Sequence, residues 1–223
     1  MRYIYTFVVM LCVTGMAGAV ENGSFEDGLT DWEVSGYSAE TAPQFTANFR
    51  NPEIGVTVEP VDGLNLAVLK SGDSYNRSFK FSQISQMMTF ETGDILSGSY
   101  FFATSDYLRW DDFATVTLVP LSEDGGLTEI LLAHKDVAAV GDFGSMDGWD
   151  TFEQKFDLSN AGTYTLNFRV EDFEDYLWSS YLVIDDVKVT SVPEPATMCL
   201  FALGGVALGR RQKTGALEGD RRQ

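Results

Sequence analysis

The chain of 223 residues has a formal net charge of -18, with 15 basic and 33 acidic side chains, one histidine and two cysteines. Such an acidic chain excludes nucleic acid as a partner, because phosphates are bound by clustered Lys and Arg. The single histidine argues against most metalloenzyme and catalytic-triad chemistry. Hydrophobic residues at 44% and charged residues at 22% are typical of a folded chain. The length predicts one domain flanked by processing segments, and the alternative is two small domains.

The first 19 residues have the pattern of a secretory signal peptide. Arg2 is their only charged residue, an apolar run covers residues 4–13, and Ala17-Gly18-Ala19 supplies small residues at its end. The apolar run predicts a signal helix that is too short to span a bilayer. We therefore expect signal peptidase to cleave after Ala19. The alternative is a permanent N-terminal membrane anchor.

A three-part segment lies near the C-terminus. Pro193-Glu194-Pro195 comes first, a run of 14 uncharged residues follows, and Arg210-Arg211 ends the segment. Because a membrane-spanning helix needs about 17–25 apolar residues, the run predicts a short hydrophobic helix that is a marginal transmembrane segment. The arginines would hold its end on the cytoplasmic side.

This order of Pro-Glu-Pro, hydrophobic helix and arginine cluster resembles the PEP-CTERM sorting signal of Gram-negative bacteria that make exopolysaccharide. The resemblance implies that an exosortase recognises residues 193–213 while the segment is a transient inner-membrane anchor. It also implies a final location in the cell envelope, at the cell surface or in the extracellular matrix. The polar tail 214–223 is longer than such signals usually carry. The alternative is an ordinary tail anchor.

Residues 20–192 remain as the folded domain. Processing at both ends would remove three acidic but six basic side chains, so the domain is still more acidic than the full chain. Cys12 and Cys199 both lie outside the domain, which excludes an internal disulfide. A domain of this size can bury a hydrophobic core without disulfides.

Several segments of the domain alternate apolar and polar residues, which is typical of half-buried antiparallel strands. Turn signals, such as Asp62-Gly63 and Asn160-Ala161-Gly162, separate these segments. Many short strands with regular turns predict an all-β sandwich or barrel. The predicted strands are 64–69, 83–90, 98–104, 114–118, 129–133, 151–158, 163–170 and 182–190.

Both ends of the domain resemble galactose-binding-like jelly rolls, a fold that many carbohydrate-binding modules share. The segment Asn22–Gly28, followed by Asp31-Trp32, is similar to the first strand of that family. Val183–Val187 is similar to its last strand. The resemblance implies an antiparallel jelly-roll β-sandwich.

Period two places Val183, Asp185 and Val187 on one face of the last strand. If the valines face the core, Asp185 is buried as well, and a buried carboxylate needs a hydrogen-bond partner or a cation. The jelly-roll resemblance implies a structural Ca²⁺ held by the side chains of Glu26 and Asp185. Asp62 and Gly63 would add carbonyl oxygens, in keeping with the oxygen ligands that Ca²⁺ prefers. The alternative is that Asp185 accepts backbone hydrogen bonds and no metal binds.

Two acidic clusters lie beside aromatic residues in predicted loops. Such aromatic side chains can stack on sugar rings while carboxylates hold hydroxyl groups, which predicts a ligand-binding edge. The alternatives are aromatic side chains that cap the sandwich next to solvated acids, or calcium held by these loops. The acids are Asp106, Asp111, Asp112, Glu171, Asp172, Glu174 and Asp175, and the candidate ligand-binding residues are Tyr107, Trp110, Tyr176 and Trp178.

No catalytic motif stands out, so we expect a non-catalytic protein. His134 has no Ser or Cys motif as a partner, and a surface position at a strand end is expected for it. The sorting signal favours a structural or adhesive role associated with exopolysaccharide. The alternative, favoured by the jelly-roll resemblance and the loop aromatics, is a carbohydrate-binding module that recognises a matrix glycan.

Overall fold

The computed structural model describes residues 19–49, 55–72, 79–122, 126–173 and 177–191. Most of the predicted signal peptide, residues 1–18, and the sorting segment from residue 192 onwards lie outside these ranges. No helix in the described ranges is long and apolar enough to cross a membrane.

The described residues form twelve β-strands and one short helix, α1 (Val137–Val140). The strands are β1 (Glu33–Gly36), β2 (Ser38–Ala42), β3 (Phe45–Ala47), β4 (Val56–Val58), β5 (Leu66–Lys70), β6 (Phe81–Phe90), β7 (Asp94–Thr104), β8 (Phe113–Pro120), β9 (Ile130–Asp136), β10 (Asp150–Lys155), β11 (Gly162–Glu171) and β12 (Ser180–Ser191).

Ten of these strands form two antiparallel sheets. Sheet A has the order β1-β6-β11-β8-β9, and sheet B has the order β10-β7-β12-β5-β2. If the outer strands β1 and β2 are left aside, four strands remain in each sheet. Sheet B, with the order β5-β12-β7-β10, then packs against sheet A, with the order β6-β11-β8-β9. This is the arrangement of an eight-stranded jelly roll. The predicted all-β jelly-roll sandwich is therefore confirmed.

The main core lies between the two sheets. The alternation predicted for β11 is confirmed, because Tyr164, Leu166, Phe168 and Val170 are all buried while the residues between them are partly exposed. Near one end of the sandwich the rings of Phe90 and Phe156 are stacked 3.9 Å apart.

A second apolar cluster lies on the outer face of sheet B. Val68, Phe101 and Val183 point away from the main core and pack beneath the hairpin of β3 and β4. Strands β5 and β12 are therefore buried on both faces, which explains why they are apolar almost without alternation.

All eight predicted strands are present, with ends that differ by a few residues, but the four short strands β1–β4 were not predicted. The expected first strand at Asn22–Gly28 is wrong, because these residues form consecutive turns. Asn22 and Phe25 adopt positive φ angles of 51° and 58°. The Asn22 side chain bonds the backbone of Asp27, Gly28 and Thr30, so local side-chain hydrogen bonds replace strand pairing.

The predicted facing of the last strand is also wrong. β12 contains a bulge between Asp185 and Lys188, where Asp186 has a φ of 53°. The bulge reverses the alternation, so Val183 packs in the outer cluster whereas Val187 packs in the main core. Asp185 is buried, but on the outer side of sheet B beside residues 61 and 62 rather than in the main core.

A substitution of Gly98 in β7 tests how closely the two sheets pack. A Cβ at this position would lie 2.6 Å from Phe152 Cζ and 3.3 Å from Val187 Cγ2. We expect Gly98→Ala to lower the free energy of unfolding by about 1–3 kcal/mol, measured by urea denaturation. Gly148→Ala is the matched control, since a Cβ there meets nothing within 4 Å. Equal denaturation midpoints for the two variants would contradict this packing.

Candidate functional site

Two loops meet at one end of the sandwich, and their described residues 105–112, 172–173 and 177–179 form what we call the loop edge. The backbone N–H and the hydroxyl of Ser105 both donate to the Ser179 carbonyl, at 3.1 and 2.6 Å. The N–H of Phe173 donates to Asp112 Oδ1 at 2.8 Å. Hydrogen bonds between the loops thus join two segments that are far apart in sequence into one surface.

Aromatic side chains are exposed along this edge. Tyr107 is 36% exposed, Phe173 43% and Trp178 51%. Trp110 is half-buried, and its indole N–H lies 3.3 Å from the Tyr107 hydroxyl. Tyr176 lies outside the described residues. The predicted Tyr107, Trp110 and Trp178 therefore lie on loops at the same end of the molecule, and their binding role stays a prediction.

Three of the neighbouring acids are not the solvated groups considered above. Asp106, Asp112 and Asp172 are buried, with exposures of 0%, 0% and 1%. Asp112 Oδ2 lies 2.6 Å from the Ser180 hydroxyl, which lies 2.8 Å from Thr104 Oγ1. Polar contacts within the protein thus surround Asp112.

Burial raises the pKa of Asp112 to about 8. The nearby carboxylates Asp172 and Asp106 raise this pKa further, whereas the hydrogen bonds from Ser180 and Phe173 lower it. Below about pH 8, the Asp112 carboxyl is therefore mainly neutral. One neutral member reduces the repulsion among the three buried acids.

The predicted Glu26 and Asp185 do approach the same loop, residues 61–65. Glu26 Oε1 accepts the N–H groups of Leu64 and Asn65 at 2.7 and 2.8 Å. Asp185 Oδ2 accepts the N–H groups of Val61 and Asp62 at 2.5 and 3.0 Å. Both carboxylates therefore accept hydrogen bonds from backbone amides of this loop.

Gly63 lies at the centre of this loop. Its φ is 76°, and a Cβ there would overlap the Glu26 carboxylate. The close approach of Glu26 to the loop backbone therefore requires glycine.

The fit of this site to Ca²⁺ depends mainly on Asp185 Oδ1, which is buried and has no hydrogen-bond partner. Burial also raises the pKa of Asp185. Among the described residues, no group of three or more His, Cys, Asp or Glu side chains is arranged to hold a metal. One free carboxylate oxygen beside a backbone loop suits a calcium shell completed by carbonyl oxygens and water.

The predicted processing residues lie at or beyond the ends of the described chain. Ala19 is the first described residue and is exposed. Pro193, Glu194, Pro195, Arg210 and Arg211 lie outside the described residues. The described chain ends with β12 at Ser191, directly before them.

One candidate surface was missed by the sequence analysis. Trp149 lies between two shallow depressions, lined by residues from the segments 57–61, 135–140 and 145–150. Nothing in the local sequence indicates that these three segments meet.

Comparison with known proteins identifies the C-terminal segment. Residues 191–213 match the PEP-CTERM protein-sorting motif. The predicted sorting signal is thus confirmed, and the protein is an exported one that carries the signal of exosortase substrates. No curated protein matches the chain.

Solved structures similar to this chain include carbohydrate-binding modules. TmCBM61, solved with β-1,4-galactotriose, is 18% identical with a TM-score of 0.45, over 78% of this chain and 97% of that one. The C-terminal family 22 module of Clostridium thermocellum Xyn10B is 15% identical with a TM-score of 0.39, over 77% and 94%. The K3 cleaved adhesin domain of Lys-gingipain from Porphyromonas gingivalis is 15% identical with a TM-score of 0.45, over 78% and 99%.

The raised pKa of Asp112 predicts a pH-dependent stability. An unfolded Asp loses its proton near pH 3.8, whereas folded Asp112 keeps it to about pH 8. The folded state binds more protons between these values, so the free energy of unfolding falls as the pH rises from about 4 to 8. We expect Asp112→Asn, which resembles the neutral carboxyl, to flatten this fall in urea denaturation. The control Asp147→Asn removes one exposed carboxylate, and the same flattening there would contradict the assignment.

Calcium beside Asp185 stays a prediction, supported by the buried Oδ1 atom. Because the raised pKa of Asp185 makes metal compete with a proton, we expect added Ca²⁺ to raise the melting temperature more at pH 8 than at pH 5. EDTA should reverse this rise, and Asp185→Asn should abolish it. A midpoint that neither Ca²⁺ nor EDTA changes would refute the metal.

Proposed function

We propose that this exported protein is a non-catalytic adhesive component of an exopolysaccharide-rich envelope or matrix, and that it acts by binding a glycan at the loop edge. The observation that carries the proposal is the set of exposed aromatic side chains, Tyr107, Phe173 and Trp178, on two loops tied together by hydrogen bonds. Aromatic faces contribute apolar contact area and lose little entropy when a ligand binds. The hydrophilic edges of a sugar would still reach water and the loop backbone.

The direction of β12 supports an adhesive role. At one end of the strand, Ser180 pairs with Thr104 next to the loop edge; at the other end, Ser191 pairs with Asp94. Ser191 is also the first residue of the sorting motif, so the loop edge and the start of that motif lie at opposite ends of the sandwich. Twelve residues of strand span about 40 Å. A protein held through its C-terminus would therefore present the loop edge away from its attachment point.

Burial of the neighbouring acids supports binding rather than catalysis. Asp106, Asp112 and Asp172 lie beneath the loop surface, where a substrate does not reach them. Asp112 accepts hydrogen bonds from the Ser180 hydroxyl and the Phe173 N–H, and Asp106 accepts one from the Tyr107 N–H. In this proposal they hold the loops in place, and the exposed aromatic residues contact the ligand.

The second candidate is a purely structural matrix protein with no glycan ligand. The sorting motif favours it equally, because that motif directs export whatever the domain binds. The exposed apolar side chains of the loop edge would then contact protein. The two candidates differ in whether the isolated domain binds a polysaccharide.

A glycan array tests the proposal with residues 20–191 and single substitutions at the loop edge. We expect the unmodified domain to bind at least one glycan. Tyr107→Ala and Trp178→Ala should each weaken binding at least about tenfold, equal to ~1.4 kcal/mol. Trp110→Ala should have a smaller effect, since this side chain is half-buried and positions Tyr107. Tyr176→Ala completes the set.

Leu158→Ala is the matched control, because Leu158 is 94% exposed in the turn after β10, away from the loop edge. Its binding should equal that of the unmodified domain. Absence of binding to every glycan would leave the structural candidate. Release of reducing sugar from the bound polysaccharide would instead show an enzyme.

A further inference from the structure

A groove crosses the loop that connects α1 to β10, and we call it the Trp149 groove. One depression, of about 450 Å³, is lined by Lys135, α1 and residues 145–150. A second depression of about 450 Å³ is lined by residues 57–61. Both include Gly148 and Trp149, so the depressions meet across these two residues.

The wall of the groove is fixed by hydrogen bonds. The Trp149 indole N–H donates to the Glu59 carbonyl at 2.9 Å, which sets the orientation of the ring. The N–H of Met146 donates to the Phe102 carbonyl at 3.0 Å and ties the loop to sheet B. Such a preformed aromatic surface loses little entropy when a ligand binds.

The charged side chains of the groove restrict its ligand. Lys135 is paired with Asp150, with 3.4 Å between Nζ and Oδ2, and Asp150 also accepts the Tyr100 hydroxyl at 3.1 Å. Asp147 and Glu59 add negative charge without a further lysine or arginine among the lining residues. A polyanion would be repelled here, in a protein that already carries a net charge of -18. A chain of neutral hydroxyl-bearing units can stack on the indole and hydrogen-bond the charged rim.

The groove is joined to the loop edge through residues 141–144. The N–H of Phe143 donates to the Asp106 carbonyl at 2.7 Å, and the rings of Phe143 and Tyr107 lie 5.9 Å apart. The N–H of Thr104 donates to the Gly144 carbonyl at 2.9 Å. The turn between α1 and the groove is therefore held against the loop that carries Tyr107.

We propose that the Trp149 groove is a second carbohydrate site, which binds a neutral polysaccharide chain lying across Gly148 and the Trp149 indole. This inference rests on the proposed glycan-binding function and adds the ligand class and a site distinct from Tyr107 and Trp178. Trp149 is half-buried and packs partly against the outer apolar cluster, and its remaining exposed part supplies the stacking surface. The Lys135–Asp150 pair with Asp147 supplies hydrogen bonds to hydroxyl groups.

Gly148→Leu provides a blocking variant. A Cβ at Gly148 meets nothing within 4 Å, and its φ is outside the left-handed range. The leucine would therefore occupy the groove instead of displacing protein atoms. Trp149→Ala removes the stacking surface, and circular dichroism and a thermal melt verify that each variant is folded.

The experiment is calorimetric titration of residues 20–191 with cellohexaose, xylohexaose and galactohexaose as neutral probes and with hexagalacturonate as the acidic probe. We expect at least one neutral hexaose to bind at two sites per domain and hexagalacturonate not to bind. Both Gly148→Leu and Trp149→Ala should weaken binding at one of the two sites at least about tenfold and leave the other unchanged. Leu158→Ala is the matched control and should bind within about twofold of the unmodified domain, because this exposed side chain lies outside the groove.

The outcomes separate this inference from the proposed function. Binding that is lost in Tyr107→Ala and Trp178→Ala but unchanged in Gly148→Leu would overturn the second site and keep the loop edge. Stronger binding of hexagalacturonate than of any neutral hexaose would overturn the ligand class. No binding of any glycan by the unmodified domain would overturn both proposals. If Trp149→Ala does not fold, Gly148→Leu alone decides.

Discussion

Strand β12 and its bulge connect the two apolar clusters, the Asp185 site and the buried acids beneath the loop edge. The strand lies inside sheet B, paired with β7 on one side and β5 on the other. Before the bulge, Val183 and Asp185 face the outer side of the sheet; after it, Val187 faces the main core. A single residue with positive φ, Asp186, therefore allows one strand to complete two apolar clusters and to place a carboxylate beneath a loop.

The same strand joins two buried polar sites. Its first residue, Ser180, lies 2.6 Å from Asp112 beneath the loop edge. Asp185 accepts the amides of Val61 and Asp62 in the middle of the strand. Burying these carboxylates is costly unless hydrogen bonds or a neutral charge state offset the loss of water. At Asp112 the raised pKa supplies the neutral state, and at Asp185 the loop amides supply the hydrogen bonds.

The main strands were predictable from the sequence because their burial follows period two. Strand β11 buries Tyr164, Leu166, Phe168 and Val170 as the pattern required. The four short strands β1–β4 were not predicted, since they have three to five residues and little alternation. Asn22–Gly28 resembled a strand only by family likeness. The hydrogen bonds of the Asn22 side chain, which form turns, are not visible in an apolar pattern.

The candidate sites were less predictable because they depend on long-range contacts. The family resemblance correctly predicted that Glu26 and Asp185 lie near the same loop. The backbone amides that these two carboxylates bind could not be inferred from sequence spacing. The bulge could not be predicted from Val183–Val187 either. In such a short apolar run, either set of alternate residues could face the core. Trp149 and Glu59 are 90 positions apart and meet through the fold alone.

Rigidity is the property that connects the fold to the proposed binding. Loops are usually the mobile parts of a sandwich, but here Ser105, Phe173 and Trp149 are held by hydrogen bonds to other segments. A sugar polymer offers mainly hydroxyl groups and weakly apolar ring faces, so a binding surface gains little from each contact. The affinity then depends on how little conformational entropy the protein loses when the ligand binds. The buried acids hold the loops that carry the exposed aromatic residues. The free-energy cost of burying these acids and ordering the loops is incurred during folding, and not at each binding event.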